Sequence, residues 1–252
     1  MDSESNAMLR QRASRRGSRV TARNSTTGSP TTGSPATGSP ATGSATGREP
    51  ITVAELTIVS ANQASWADLQ AIFGTTGSPG HCYCQAFKVR DRDWRSLTDE
   101  DRRDRLRQQT NCGNTRAAST TGLVAYLGNE PVGWVAVEPR TAYPRLLRSR
   151  TPWQGRQEDQ RDESVWAVTC FVVRAGYRKR GISYAIAAAT VDFARKHGAG
   201  ALEAYAMDTE PGKEITWGEL YVGSRQVFAE AGLTEVSRPS PRRVVMRVDF
   251  TR

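Results

Sequence analysis

The run Val172-Val173-Arg174-Ala175-Gly176-Tyr177-Arg178-Lys179-Arg180-Gly181-Ile182-Ser183 joins an apolar stretch, 165–173, to an amphipathic one, 182–197. The first, VWAVTCFVV, has no polar face, which is the pattern of a strand covered on both sides of a sheet. In the second, Ile182, Ile186, Ala189 and Phe193 recur at helical spacing and Gly198 closes the run, so a helix is predicted over Ile182–His197. A turn between such a strand and such a helix brings successive backbone N–H groups and a helix N-terminus to one point, an anion site that a pyrophosphate fits. Gly181 permits backbone angles that a side chain forbids and lets a ligand come close. Ser183 is small enough to keep that approach open, while Arg178, Lys179 and Arg180 surround it with positive charge. Arg-x-x-Gly-x-Ser alone is a weak pattern; the strand before it and the helix after it give it weight. Neither GxGxxG nor GxxxxGK[ST] occurs, which argues against a dinucleotide-binding Rossmann enzyme and a P-loop nucleotidase.

Working outward, Thr52–Val59 reads as a first strand, and Ser60 or Asn62 as the cap of a helix carrying Trp66, Leu69 and Phe73. The segment 74–80 breaks that helix. Thr98 caps a charged helix whose first turn holds Asp99, Glu100 and Asp101, where carboxylates suit the helix dipole. Gly122–Leu127 and Val132–Val137 form a hairpin, followed by a long polar loop, 140–163. Beyond the central helix come a strand at Ala201–Met207, a helix with Phe228 and Ala231 inward, and a last strand at Val244–Phe250. This order gives a mixed α/β (α+β) sheet with helices on both faces.

Residues 1–50 differ in kind. From Thr26 they repeat TTGSP-TTGSP-ATGSP-ATGSA, with no large apolar side chain to offset the entropy of ordering, so a disordered tether is expected. Ser5-Asn6-Ala7 ahead of Met8 reads as a vector-derived scar. One domain is expected over 51–252. The net charge is +9, and only four of the 35 basic residues are lysine. Arginine pairs phosphates well, but these arginines are scattered and lack an aromatic-rich RNA-binding motif, so compositional bias outweighs a nucleic-acid role. No stretch is long and apolar enough to span a membrane, and the four cysteines, Cys82, Cys84, Cys112 and Cys170, read as free thiols of a cytoplasmic protein. Cys82-Tyr83-Cys84 has the wrong spacing for a zinc knuckle, and no metal is expected.

The run V-x-x-x-Y-R-x-R-G-I-S, with Arg178 and Gly181 in place and Ser183 standing for the usual Gly or Ala, resembles the acyl-CoA-binding motif of the GNAT acetyltransferases. Pro131-Val132-Gly133-Trp134 is similar to a common strand of that family, and the element order from Thr52 to Phe250 follows it. CYCQAF, VGWVAVEPR with YPRLLRSR, and VWAVTCFVV resemble an actinobacterial subgroup. The resemblance implies a mostly antiparallel mixed sheet and acetyl-CoA as co-substrate. It implies that the backbone of Phe171, Val172 and Val173 binds the pantetheine arm and that the amides from Arg178 through Lys179, Arg180, Gly181 and Ile182 to Ser183 hold the pyrophosphate. A primary amine, on a small molecule, a peptide or a protein, would then attack the acyl group directly. A homodimer is left open.

The family's usual acid, a tyrosine four residues before a late glycine, is replaced here by Phe228. Tyr221 is the alternative acid, set against a packing role. Ser224 either binds pantetheine or caps a helix. Glu138 and Asp208, at strand ends, are the candidate bases, each set against a structural role. The missing tyrosine keeps open a protein that binds acyl-CoA without catalysis; a nucleic-acid-associated acyltransferase is the remaining alternative.

Overall fold

The computed structural model describes residues 49–74, 77–209 and 219–251. The tether and the scar expected within 1–48 lie outside the described residues. The described chain builds a seven-stranded sheet: β1 Leu56–Ser60, β2 Leu123–Leu127, β3 Glu130–Pro139, β4 Val165–Val173, β5 Ala201–Met207, β6 Thr234–Ser240 and β7 Arg243–Asp249, in the order β1-β2-β3-β4-β5-β7-β6. Only β4 and β5 pair in parallel; the other five pairings are antiparallel.

Alternation along the strands sorts side chains to two faces. Val135, Val137, Val168 and Phe171 join one core with α6 (Ile182–Lys196) and α7 (Arg225–Glu230). Trp134, Ala136, Cys170 and Val172 join a second with α1 (Trp66–Phe73), α4 (Asp99–Thr110) and Tyr83 and Cys84, which follow α2 (Gly77–Cys82). α3 (Asp91–Trp94) and α5 (Pro144–Arg148) are short, and α5 covers a smaller cluster around Tyr143, Leu146 and Tyr205. Helices thus lie on both faces, as the element order predicts.

Local chemistry sets the helix starts. Ser65, not Ser60 or Asn62, caps α1: its hydroxyl accepts from the Asp68 amide at 3.1 Å, and the Asp68 carboxylate accepts from the Ser65 amide at 3.1 Å. Thr98 and Asp101 repeat this box at α4, where Leu106 and Thr110 anchor the otherwise charged helix. The first strand begins later than expected, because Val53–Glu55 forms a 3₁₀ turn. Within 140–163 the chain folds into two 3₁₀ turns and α5. β6, absent from the predicted elements, is a polar edge strand containing Pro239, the composition that discourages pairing with a further chain.

Candidate active site

β4 and β5 pair only from Val165↔Ala201 to Val168↔Ala204. Beyond that point β5 stays with β7, while β4 continues to Val173 along β3. The β3–β4 register skips Thr169, passing from Val137↔Val168 to Ala136↔Cys170. Such a bulge bends a strand and strengthens its twist, which fits the parting of the two strands just here. The 3₁₀ turn Leu220–Val222 lies against both strands, and the Met207 amide donates to the Gly223 carbonyl at 2.9 Å. Gly223 is in the left-handed region (φ +82°), and a Cβ there would meet the Phe228 ring at 2.7 Å, so only glycine fits between that ring and the cleft.

A cleft of about 760 Å³ runs from the parted strands to the start of α6. The 174–181 turn forms its mouth. Lys179 (φ +60°) and Gly181 (φ +87°, the residue capping α6) are left-handed, and residues of this kind within a turn form anion-binding nests. The first-turn amides of α6 have no acceptor inside the helix, and its dipole places partial positive charge at the same point. Arg178 Nε donates to the Val173 carbonyl at 3.1 Å, tying the turn to the end of β4; burial lowers the guanidinium pKa from an ordinary value high enough for its charge to survive. The Ile51 amide donates to the Arg180 carbonyl at 2.8 Å, and Arg180 Nε donates to the Glu49 carbonyl at 2.9 Å.

Most residues assigned to acyl-CoA from sequence meet in this cleft: Phe171, Val173, Arg178, Lys179, Gly181, Ile182, Ser183 and Ser224. Val172 faces the opposite side of β4, and Arg180 turns its side chain to the N-terminal strap instead of the cleft. Ser224 both borders the cleft and caps α7, accepting from the Val227 amide at 3.4 Å. Sequence reasoning missed Tyr177, Tyr184, Leu220 and Gly223; the pairing of Gly223 with the helix-capping Ser224 was the available signal.

On the other side of β4 lies a cavity of about 320 Å³ lined by Phe73, Pro79, Cys82, Cys84, Cys170 and Tyr221 among others. A further cavity of about 240 Å³, with Phe87, Tyr205 and Arg243 in its walls, also borders Tyr221. Tyr221 is therefore the side chain shared by both. Burial pushes its hydroxyl pKa above the ordinary tyrosine value; Arg243 opposes that, Cys82 adds to it and Arg145 opposes it again.

The carboxylates expected as bases lie elsewhere. Glu138 borders none of the three cavities; it accepts from Thr121 Oγ1 and pairs with Lys88 Nζ. Asp208 accepts from Arg238 Nη1 at 2.6 Å and likewise lies outside them. Both are held in ion pairs, Glu138 with Lys88 and Asp208 with Arg238, and neither lines the cofactor-sized cleft. Phe228 is fully buried edge-on against Phe171, with ring centroids 5.5 Å apart, and serves packing.

The cysteines also depart from expectation. Cys84 and Cys170 form a disulfide linking the segment after α2 to β4, with Cα atoms 6.1 Å apart. Cys82 and Cys112 are free, and burial pushes both thiols up, away from thiolate chemistry. The disulfide removes the free-thiol argument for a reducing compartment. Among the described residues there is no metal-ligating cluster of His, Cys, Asp and Glu, and no helix is long and apolar enough to cross a membrane.

Comparison with known proteins completes the description. The chain resembles an acetyltransferase of the GNAT family from Bacillus anthracis (13% identity, TM-score 0.44, covering 77% of this chain and 95% of that one). It also resembles an N-acetyltransferase from Staphylococcus aureus (12%, TM-score 0.43, 77% and 98%). A third likeness is to a Salmonella typhimurium protein solved with its cofactor acetyl-CoA (14%, TM-score 0.44, 77% and 94%). No curated protein matches the chain. The profile of the Acetyltransferase (GNAT) family matches residues 86–213, just over half of the sequence, and includes β4, the anion turn and α6. The chain belongs to the GNAT acetyltransferase family.

Proposed function

We propose that the protein transfers an acetyl group from acetyl-CoA to a primary amine by direct attack, with the cofactor in the 760 Å³ cleft. The observation that carries this reading is the parting of β4 from β5 next to the left-handed turn at Lys179 and Gly181. The free edge of β4 suits an extended pantetheine arm, and the turn suits a pyrophosphate. Acetyl-CoA supplies the acyl group as a thioester. Phe171 and Val173 border its path, Arg178 and Lys179 balance phosphate charge, and the Gly181–Ser183 amides hold the pyrophosphate. Tyr221, kept protonated by its burial, donates its hydroxyl proton to the departing sulfur. The amine gives up its proton to water, since no carboxylate lines the three cavities among the described residues. The likeness of CYCQAF and VWAVTCFVV to an actinobacterial subgroup belongs to the same reading.

Calorimetric titration with acetyl-CoA, followed by thiol release against a panel of primary amines, tests the proposal. The expected result is saturable binding that Gly181→Val weakens at least tenfold, together with amine-dependent thiol release. Acetyl-CoA binding that Gly181→Val leaves unchanged would overturn the placement of the cofactor, and binding without release against any amine would overturn transfer.

A further inference from the structure

Of the two arginines whose charge acts on Tyr221, Arg145 is committed to a carboxylate, as are Arg238 and Arg242 near the β6–β7 turn. Arg145 pairs with Asp91 at 2.9 Å, Arg238 with Asp208 at 2.6 Å, and Arg242 with Glu219 at 3.1 Å. Arg243 is different. It begins β7, is half-buried, borders the 240 Å³ cavity beside Tyr221, and makes no ion pair with any described residue. The rest of that cavity is mostly apolar or aromatic, with Phe87, Leu146, Tyr205 and Val245 as walls and no carboxylate among its described residues. Phe87 lies against Tyr221, ring centroids 6.2 Å apart. At about 240 Å³ the cavity is smaller than the clefts that hold drug-sized ligands, so its occupant is small.

We propose that the acetyl acceptor is a small amino acid or close analogue with an apolar or aromatic side chain, its carboxylate bound by Arg243 and its side chain in the cavity walled by Phe87, Leu146, Tyr205 and Val245. This rests on the acetyl-transfer reading above. A half-buried guanidinium with no carboxylate partner among the described residues is free to take an anion, and a planar carboxylate matches its fork of donors. With that anchor on Arg243, the α-amine lies toward Tyr221, the one side chain shared with the cavity against β4. A bare alkylamine lacks this contact, and its ammonium form is repelled by the same guanidinium. Transfer forms the amide C–N bond and breaks the thioester C–S bond; the amine loses one proton to water and the thiolate gains one from Tyr221.

The test compares kcat/KM for phenylalanine and leucine with that for phenethylamine and isopentylamine, which lack only the carboxylate. In the unaltered protein the carboxylate should raise kcat/KM about 10–100-fold, the range of a charge-assisted bond made at the site. In Arg243→Met, which keeps the apolar stem, the ratio should fall to near one, with far-UV circular dichroism confirming the fold. Equal kcat/KM for the paired amines in the unaltered protein overturns the acceptor assignment and leaves acetyl transfer standing. A ratio that survives Arg243→Met overturns the role of Arg243. Turnover with none of the four, while other amines release thiol, overturns the substrate class; release with no amine at all overturns the transfer reading beneath it.

Discussion

Arg140 and Glu203 face each other at 3.3 Å with both side chains fully buried, the first just past β3 and the second in the middle of β5. Tyr205 Oη donates to the same carboxylate at 2.8 Å, and Arg247 Nη1 reaches its other oxygen at 2.7 Å. Arg156 also pairs with it, and Arg156 lies over the Trp153 ring at 4.9 Å. Glu203 is thus the fully buried carboxylate answering these three cations, with the partly exposed Glu158 reaching the same arginines, and it fixes the 140–163 segment to the sheet. Removing it leaves the buried Arg140 with only the partly exposed Glu158, 3.7 Å away, as a carboxylate partner among the described residues. Glu203→Ala is expected to lower unfolding stability by about 3–5 kcal/mol, seen as a lower urea midpoint with an unchanged slope.

Tyr221 sits where the two smaller cavities meet, and its pKa is raised first by burial. A general acid works while protonated, so its contribution is present below that raised pKa and is lost as pH rises through it. The pH profile of kcat should therefore show no loss from this group until pH exceeds tyrosine's ordinary value, about 10. Tyr221→Phe should reduce kcat by about 10²-fold or more with little change in acetyl-CoA affinity, and should remove any alkaline limb. Unchanged kcat in Tyr221→Phe would return the residue to a packing role.

The Cys84–Cys170 disulfide closes a loop of 86 residues that includes α3, α4, β2, β3 and α5. A crosslink of that span restricts the unfolded chain and contributes about 2–4 kcal/mol. Reductant should lower Tm by roughly 5–15 °C in the unaltered protein and leave the Cys84→Ala/Cys170→Ala double variant unmoved. Equal melting with and without reductant would show that the bond adds no stability.

Much of this architecture was legible along the chain, for identifiable reasons. β4 and β5 begin and end at the predicted residues because both are mostly apolar runs buried along nearly their whole length, with Glu203 the charged exception in β5. α6 announced itself by the spacing of Ile182, Ile186 and Phe193, and the anion turn by its place between strand and helix. β6 was hidden because an exposed edge strand needs no apolar alternation. The ion pairs of the base candidates were hidden for another reason: Lys88 and Arg238, which pair with Glu138 and Asp208, come from segments 50 and 30 residues away. The disulfide partners are 86 residues apart, and nothing local distinguishes Cys84 from Cys82. The cavity proposed for the acceptor is assembled from 3₁₀ turns, short helices and the start of β7, whose meeting point only the folded chain reveals.

The strap at Glu49–Ile51 clips onto the carbonyl and the guanidinium of Arg180, so the polypeptide enters the domain at the rim of the cofactor cleft. That entry point turns position 49 into a vantage for optical work: a dye coupled there sits a few residues from the anion turn and can register the arrival of a phosphate-bearing ligand without any enzymatic readout.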